Sequence, residues 1–264
     1  MILTDDHAHL DHGWLLKNYA SMDAFIEAQE KAGVKRIIAQ GVDKKTSEQA
    51  LAFAQKYRIV QAAIGFYPPD TWAKDNEGAE HTFSSDDTQF AADMAWLDKN
   101  LDKAVAVGEI GLDYSYADTD REMQKRVFQK QLDLAKKHSL PVIVHSRKAE
   151  DDVVQMLIDA KVTGVLHCFS GKKKLIQHAY DHGLHFSIPT NIVRSEHFRM
   201  LVKMVDISRI LTETDAPYMS PYKDEDPNEP QFIAESIKVI AKIKNMTQEE
   251  TANAIFQNFQ RLYL

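Results

Sequence analysis

Six side chains able to bind a metal ion stand at the ends of five short strand-like runs of this sequence: His7, His9, Glu109, His145, His167 and Asp215. The pattern starts at His7-Ala8-His9, because residues two apart on a strand point to the same side and can grip one ion together. Glu109 follows the apolar run Ala104 to Val107, His145 ends Pro141-Val142-Ile143-Val144, His167 ends Gly164-Val165-Leu166, and Asp215 follows Ile210-Leu211-Thr212-Glu213-Thr214. Singly, each has a bland explanation as a core histidine, a solvated carboxylate or a turn residue. Five strand ends that each deliver a metal-competent side chain are poorly explained that way, and together they point to one metal site. Imidazole and carboxylate donors without thiolate suit Zn, Mn or Mg, and four histidines with two carboxylates suffice for two divalent ions. Cys168, next to His167, is expected to point to the opposite side of an alternating strand and not to serve as a ligand.

These residues need elements that bring strand ends together. Short apolar runs alternate with longer amphipathic ones along the whole chain, the pattern of repeated βα units on a parallel sheet. Eight strands are expected, near Ile2 to Asp6, Arg36 to Gln40, Ile59 to Gly65, Ala104 to Ile110, Val142 to His145, Gly164 to Cys168, Leu184 to Ile188 and Arg209 to Glu213. Helices are expected between them. Ser21 caps the first, whose apolar face holds Met22, Phe25 and Ile26 before Gly33 ends it, and the longest runs from about Asp120 to His138. Two more, near Gln231 to Lys244 and Thr247 to Leu262, close the chain. The fold class is therefore α/β, a single (β/α)8 TIM barrel spanning residues 1–264, since such barrels commonly occupy about 250 residues. Tyr67 to Ser84 and the proline-rich, acidic stretch Pro217 to Pro230 each follow a strand, on the face where a barrel carries its active site, and are candidate substrate loops.

Composition narrows the partners. Lys+Arg 32 against Asp+Glu 39 gives a formal charge of −7, so any contact with a polyanion must be local. One cysteine allows no internal disulfide and no secretory leader is recognisable, which favours the cytoplasm, and no apolar run is long enough to suggest a membrane span. Oligomeric state is left open, a monomer being sufficient.

With these motifs in place, the chain resembles the TatD family of metal-dependent hydrolases, which includes deoxyribonucleases. The resemblance covers nearly the whole chain and rests on Asp6-His7-Ala8-His9-Leu10-Asp11, Gly108-Glu109-Ile110-Gly111-Leu112-Asp113-Tyr114, Pro141 to Arg147, Leu166-His167-Cys168-Phe169-Ser170-Gly171 and Glu213-Thr214-Asp215-Ala216-Pro217-Tyr218. It implies that His7, His9 and Asp215 bind one metal and His145 and His167 the other, with Glu109 shared. Many relatives in the wider superfamily bridge their metals with a modified lysine, but Ala104 to Ile110 contains none, so a plain carboxylate must bridge. The implied chemistry is hydrolysis of a phosphodiester by metal-activated water, with Glu109 and Asp215 as catalytic carboxylates and Asp215 accepting the proton. DNA or an oligonucleotide is the implied substrate. Arg147, Lys172 and Lys173 are candidates for phosphate oxygens. Asn228, in Asn228-Glu229-Pro230, is a candidate pocket residue, the alternative being that Glu229 only anchors the loop through an ion pair.

Two departures bear on substrate. Where the family often has a histidine before proline after the third strand, this chain has Tyr67-Pro68, and upstream of Asn228 it reads Lys223-Asp224-Glu225-Asp226-Pro227, whose acidic groups repel phosphate. Hydrolysis of a small amide, lactone or phosphorylated compound on the same barrel is therefore the alternative, and a non-catalytic metal-binding barrel a third reading.

Overall fold

Parallel strands with both faces covered are buried nearly end to end, and the computed structural model of this chain, which describes residues 1–68, 87–222 and 226–264, has that character throughout its sheet. The strands are β1 (Leu3–Ala8), β2 (Val34–Gln40), β3 (Val60–Ile64), β4 (Ala106–Asp113), β5 (Val142–Arg147), β6 (Gly164–Leu166), β7 (His185–Pro189) and β8 (Ile210–Glu213). All eight residues of β4 and all six of β1 are buried. The eight form one sheet in chain order, and β1 meets the end of β8 through a parallel bridge between Ala8 and Ala216. His9 N donates to Ala216 O at 2.8 Å, and Asp215 N donates to His7 O at 2.9 Å. This order and closure are those of the expected (β/α)8 barrel.

The helices are α1 (Met22–Ala32), α2 (Lys44–Lys56), α3 (Asp87–Asn100), α4 (Arg121–His138), α5 (Glu150–Ala160), α6 (Lys173–Asp181), α7 (Glu196–Met204), α8 (Ile233–Lys244) and α9 (Gln248–Tyr263). Their ends follow from local chemistry. Ser21 Oγ accepts from Ala24 N at 3.2 Å and Asp120 Oδ1 from Met123 N at 3.0 Å, while Thr247 and Glu250 make a reciprocal capping box. Gly33 ends α1 with φ of 101°, and a Cβ there would lie 2.7 Å from Met1 O, so glycine is required. Among the described residues, no helix is long and apolar enough to cross a membrane.

Contacts divide the chain into two compact units. Met1–Ala39, Ala52–Gln61 and His185–Leu264 carry β1, β2, β7 and β8 over a core that includes Leu3, Phe25, Ile37, Phe186 and Phe259. Gln40–Leu51 and Ala62–Leu184 carry β4, β5 and β6, with Val107, Phe128, Leu132, Val144 and Phe169 at their core.

Four strand ends lie two or three residues from the sequence expectation, β5 among them, which ends at Arg147 instead of His145. β1 runs to Ala8 and β4 to Asp113, past the points where polar residues begin, because those polar groups are hydrogen-bonded inside the protein. β6 stops at Leu166, so strand alternation does not govern Cys168, whose φ of 45° is left-handed. Of the two candidate loops, residues 69–86 and 223–225 lie outside the described residues, and with them Lys223, Asp224 and Glu225.

Candidate metal centre

The first cluster grows from alternation along β1. His7 and His9 both approach Asp215, while Asp6 accepts hydrogen bonds from Ser187 Oγ and, at 3.3 Å, from the Tyr263 hydroxyl. Asp5 is fully buried and takes three donors: Thr214 N at 2.9 Å, Thr214 Oγ1 at 2.5 Å and His7 N at 3.2 Å. Burial pushes its carboxyl up to about 7 against the pull of those donors. The effect is a clasp: one carboxylate holds the backbone of His7 and the residue before Asp215. Asp215 then turns through a left-handed φ of 57°, which a short polar side chain tolerates. Its Oδ1 lies 3.6 Å from His7 Nε2 and 3.4 Å from His9 Nε2, and the two imidazole rings are 5.2 Å apart. The His7 side chain is wholly buried, whereas that of Asp215 is 17% exposed.

The second cluster lies across β4 and β5. Glu109, Gly111 and Asp113 alternate along β4, and the register sets Gly111 beside His145 and Asp113 beside Arg147. A Cβ on Gly111 would come 2.1 Å from His145 O, and its φ is 143°, so glycine lets the strands approach where the histidine stands. His145 Nδ1 lies 3.2 Å from Glu109 Oε1, and its Nε2 lies 3.1 Å from Asp113 Oδ2 and 3.0 Å from the Tyr67 hydroxyl. Ligand atoms of Glu109, His145 and His167 all fall within 4.8 Å of one another, and all three residues are buried. Burial works against a charge on His145, yet the Asp113 and Glu109 carboxylates outweigh it and hold the imidazole above its ordinary value. For Asp113 burial acts in the opposite sense, and the hydrogen bonds of His145 and Ser115 prevail, bringing it down to about 2.

Helix α4 supports this second cluster with two buried glutamines seven residues apart. Gln124 accepts from Asp113 N at 2.8 Å and donates to Asp113 O at 3.0 Å. Gln131 does the same for Phe66, the neighbour of Tyr67, at 2.8 and 2.9 Å. Each amide satisfies both backbone groups of one residue, so the positions of Tyr67 and Asp113 are fixed by the helix.

The structure thus brings His7, His9 and Asp215 together, and Glu109, His145 and His167 together. Buried imidazoles and carboxylates at these separations fit a divalent cation, since the donor set is nitrogen and oxygen without thiolate. Arg147 ends β5 with its side chain about half exposed and Nη1 3.8 Å from Asp113 Oδ2. Lys172 is exposed, directly before α6, and Lys173 opens that helix. Asn228 is fully buried: its amide donates at 2.7 Å to both Thr190 Oγ1 and Thr214 O, and its Oδ1 accepts from Glu229 N. Glu229 does anchor its loop, but through neutral donors instead of an ion pair, taking Tyr19, Gln29 and Gln231 at 2.6, 3.1 and 2.5 Å. Sequence reasoning assigned no task to Asp5, Asp113, Gln124 or Gln131. The period of two along β4 was the available signal for Asp113.

Residues 4–264 match the family model described as TatD related DNase. The chain belongs to the TatD-related DNase family. Among TatD relatives, it is 32% identical over 272 residues, covering 99% of each chain, to the uncharacterized metal-dependent hydrolase YabD of Bacillus subtilis. It is 30% identical over 224 residues, covering 80% of each chain, to the 3'-5' ssDNA/RNA exonuclease TatD of Salmonella typhimurium. Among solved TatD structures, YjjV, the TatD homologue of Escherichia coli, superposes with a TM-score of 0.86 at 28% identity, over 99% of this chain and 97% of that one. The chain is accordingly a metal-dependent hydrolase on a (β/α)8 barrel, as the TatD resemblance implied.

Proposed function

We propose that this TatD-family chain is a two-metal phosphodiesterase acting on DNA or oligonucleotides, with His7, His9, Glu109, His145, His167 and Asp215 forming one centre. The observation that carries the reading is Glu109: a buried carboxylate within ligand distance of His145 and His167, on a strand segment without lysine. In this reading His7, His9 and Asp215 take one ion, His145 and His167 the other, and Glu109 is shared as an unmodified bridge. The strands support this reading in part: β1, β5, β6 and β8 carry their ligands within two residues of their C-terminal ends, while Glu109 stands midway along β4. The nuclease named among the relatives supports the choice of bond.

Divalent ions held there would lower the pKa of water towards neutrality and offset negative charge at a phosphoryl group. The protein's own groups divide the remaining work. Asp215, the carboxylate of its cluster that reaches solvent, accepts the proton of the attacking water. Asp113 holds the His145 ring through Nε2. Arg147 offers an exposed guanidinium for a phosphate oxygen, and Lys172 a second charge further out. One chain supplies every ligand, so a monomer suffices, and the single cysteine fits a reducing cytoplasm.

The test is turnover of single- and double-stranded DNA by wild type and Glu109→Ala, each loaded with Zn, Mn or Mg, beside a panel of small amides and lactones. DNA cleavage that disappears in the variant supports the reading. Wild-type cleavage no greater than the variant's, or turnover confined to amides and lactones, overturns it.

A further inference from the structure

Large apolar side chains exposed among the described residues are four: Met1, Leu264, Tyr218 and Tyr222. The first two are the chain ends. The other two lie four residues apart in the segment that follows Asp215, with Tyr218 37% and Tyr222 53% exposed. Scattered surface aromatics need no explanation, but two within one short segment beside a proposed metal ligand are a different case.

Hydrogen bonds hold that segment in place. Tyr218 N donates to Asp215 O at 2.8 Å, Asn228 N to Pro217 O at 2.9 Å, Thr190 Oγ1 to Met219 O at 3.0 Å and Arg194 Nη1 to Tyr222 O at 2.8 Å. The rings have fixed settings as well. Tyr218 meets His9 and His12 edge to face, with centroids 6.3 and 5.6 Å apart, and Tyr222 meets Phe232 at 5.1 Å. A proposed ligand, His9, therefore touches one of the exposed rings. Rigid exposed tyrosines present flat apolar area at small entropic cost.

Charge selects what could cover them. A molecule of net charge −7 gains little from a general attraction for polyphosphate, so affinity for a strand has to come from contacts that do not depend on charge. Base stacking on aromatic rings is such a contact, and it tolerates any sequence because every base has a π-face. The exposed Arg194 at the Tyr222 carbonyl adds one local cation. In a duplex the bases already stack on each other and their faces are hidden, so only an unpaired strand or a frayed end fits.

We propose that Tyr218 and Tyr222 form a stacking platform for the nucleobases of a single-stranded nucleic acid, holding the strand beside His7, His9 and Asp215. The proposal rests on the phosphodiesterase reading for its ligand. Binding is measured by fluorescence anisotropy in EDTA, with the full chain, a labelled single strand and an abasic strand of equal length that keeps the phosphates and lacks the bases. Tyr218→Ala and Tyr222→Ala should each weaken binding of the normal strand roughly tenfold. Tyr218→Phe and Tyr222→Phe should bind it as wild type does, and the abasic strand should bind weakly to all. Alanine variants that bind the normal strand like wild type, or an abasic strand bound as tightly as the normal one, overturn the platform. Turnover of methyl p-nitrophenyl phosphate by metal-loaded wild type, a diester without bases, separates the two ideas. Turnover with no stacking effect removes the platform and leaves the phosphodiesterase reading, whereas a stacking effect with no diester turnover keeps the platform and counts against that reading.

Discussion

The Tyr67 hydroxyl stands 3.0 Å from Nε2 of His145, on the same nitrogen that Asp113 Oδ2 approaches at 3.1 Å. Two oxygens of unequal strength thus compete for one imidazole position. A hydrogen bond to a carboxylate contributes about 1.5–3 kcal/mol and a neutral one about 0.5–1.5 kcal/mol, so Asp113 is the partner that decides how the ring is set. Asp113→Asn should weaken divalent metal binding by roughly 10–100-fold, as loss of a carboxylate behind a ligating histidine generally does. Tyr67→Phe, which keeps the ring packed 4.7 Å from His145, should weaken it by less than about tenfold. Competition against a chromogenic chelator measures both, and a larger loss in Tyr67→Phe than in Asp113→Asn would contradict this ordering.

Gln131→Leu should destabilise the fold by about 2 kcal/mol or more. The substitution preserves most of the volume but strands the buried N–H and C=O of Phe66, each of which now has its partner on the glutamine. Urea denaturation reads the change, and unaltered stability would mean that water or another group takes over both bonds.

Gly111→Ala places a methyl group 2.1 Å from His145 O at a φ of 143°, which no ordinary side chain accepts without strain. A loss of at least about 2 kcal/mol is expected, together with weakened metal binding because β4 must move away from His145. A variant as stable as wild type would show that the strands separate freely there.

Acid should weaken the fold through His185, distant from the ligands on the chain. Its burial, and then the Arg209 charge beside it, lower its pKa from the ordinary 6.5 to about 4. Because the folded state disfavours the proton, stability is fully present above pH 6.5 and falls as the pH drops through 6.5 towards 4. At about 1.4 kcal/mol per pH unit the window amounts to roughly 3 kcal/mol. Chemical denaturation across this range should show a shallower decline in His185→Gln, whereas identical slopes would place the acid sensitivity elsewhere.

Much of this architecture was legible because it is local. Ser21, Gly33, Asp120 and Thr247 mark helix ends through neighbours a few residues away, and all eight strands lie where short apolar runs were expected. What escaped depends on partners far along the chain. Asp5 is satisfied by Thr214, 209 residues on, and Glu229 by Gln29, 200 residues back. Hydropathy loses a strand where its apolar residues thin out, so β4 was expected to end at Ile110 and the alternation of Glu109, Gly111 and Asp113 went unused. The partners of Asn228 were hidden for the same reason, since its amide donates to Thr190, 38 residues back, and to Thr214, 14 residues back.

One centre built on Glu109 is proposed to bind two divalent ions and hydrolyse a phosphodiester. Its most direct test follows single-stranded DNA cleavage as metal-depleted protein is titrated with Mn or Zn, with bound metal measured at each step. No cleavage is expected without metal, a full rate once two ions are bound per chain, and loss of both the second ion and the activity in Glu109→Ala. A rate independent of added metal, or full activity in Glu109→Ala, would contradict it.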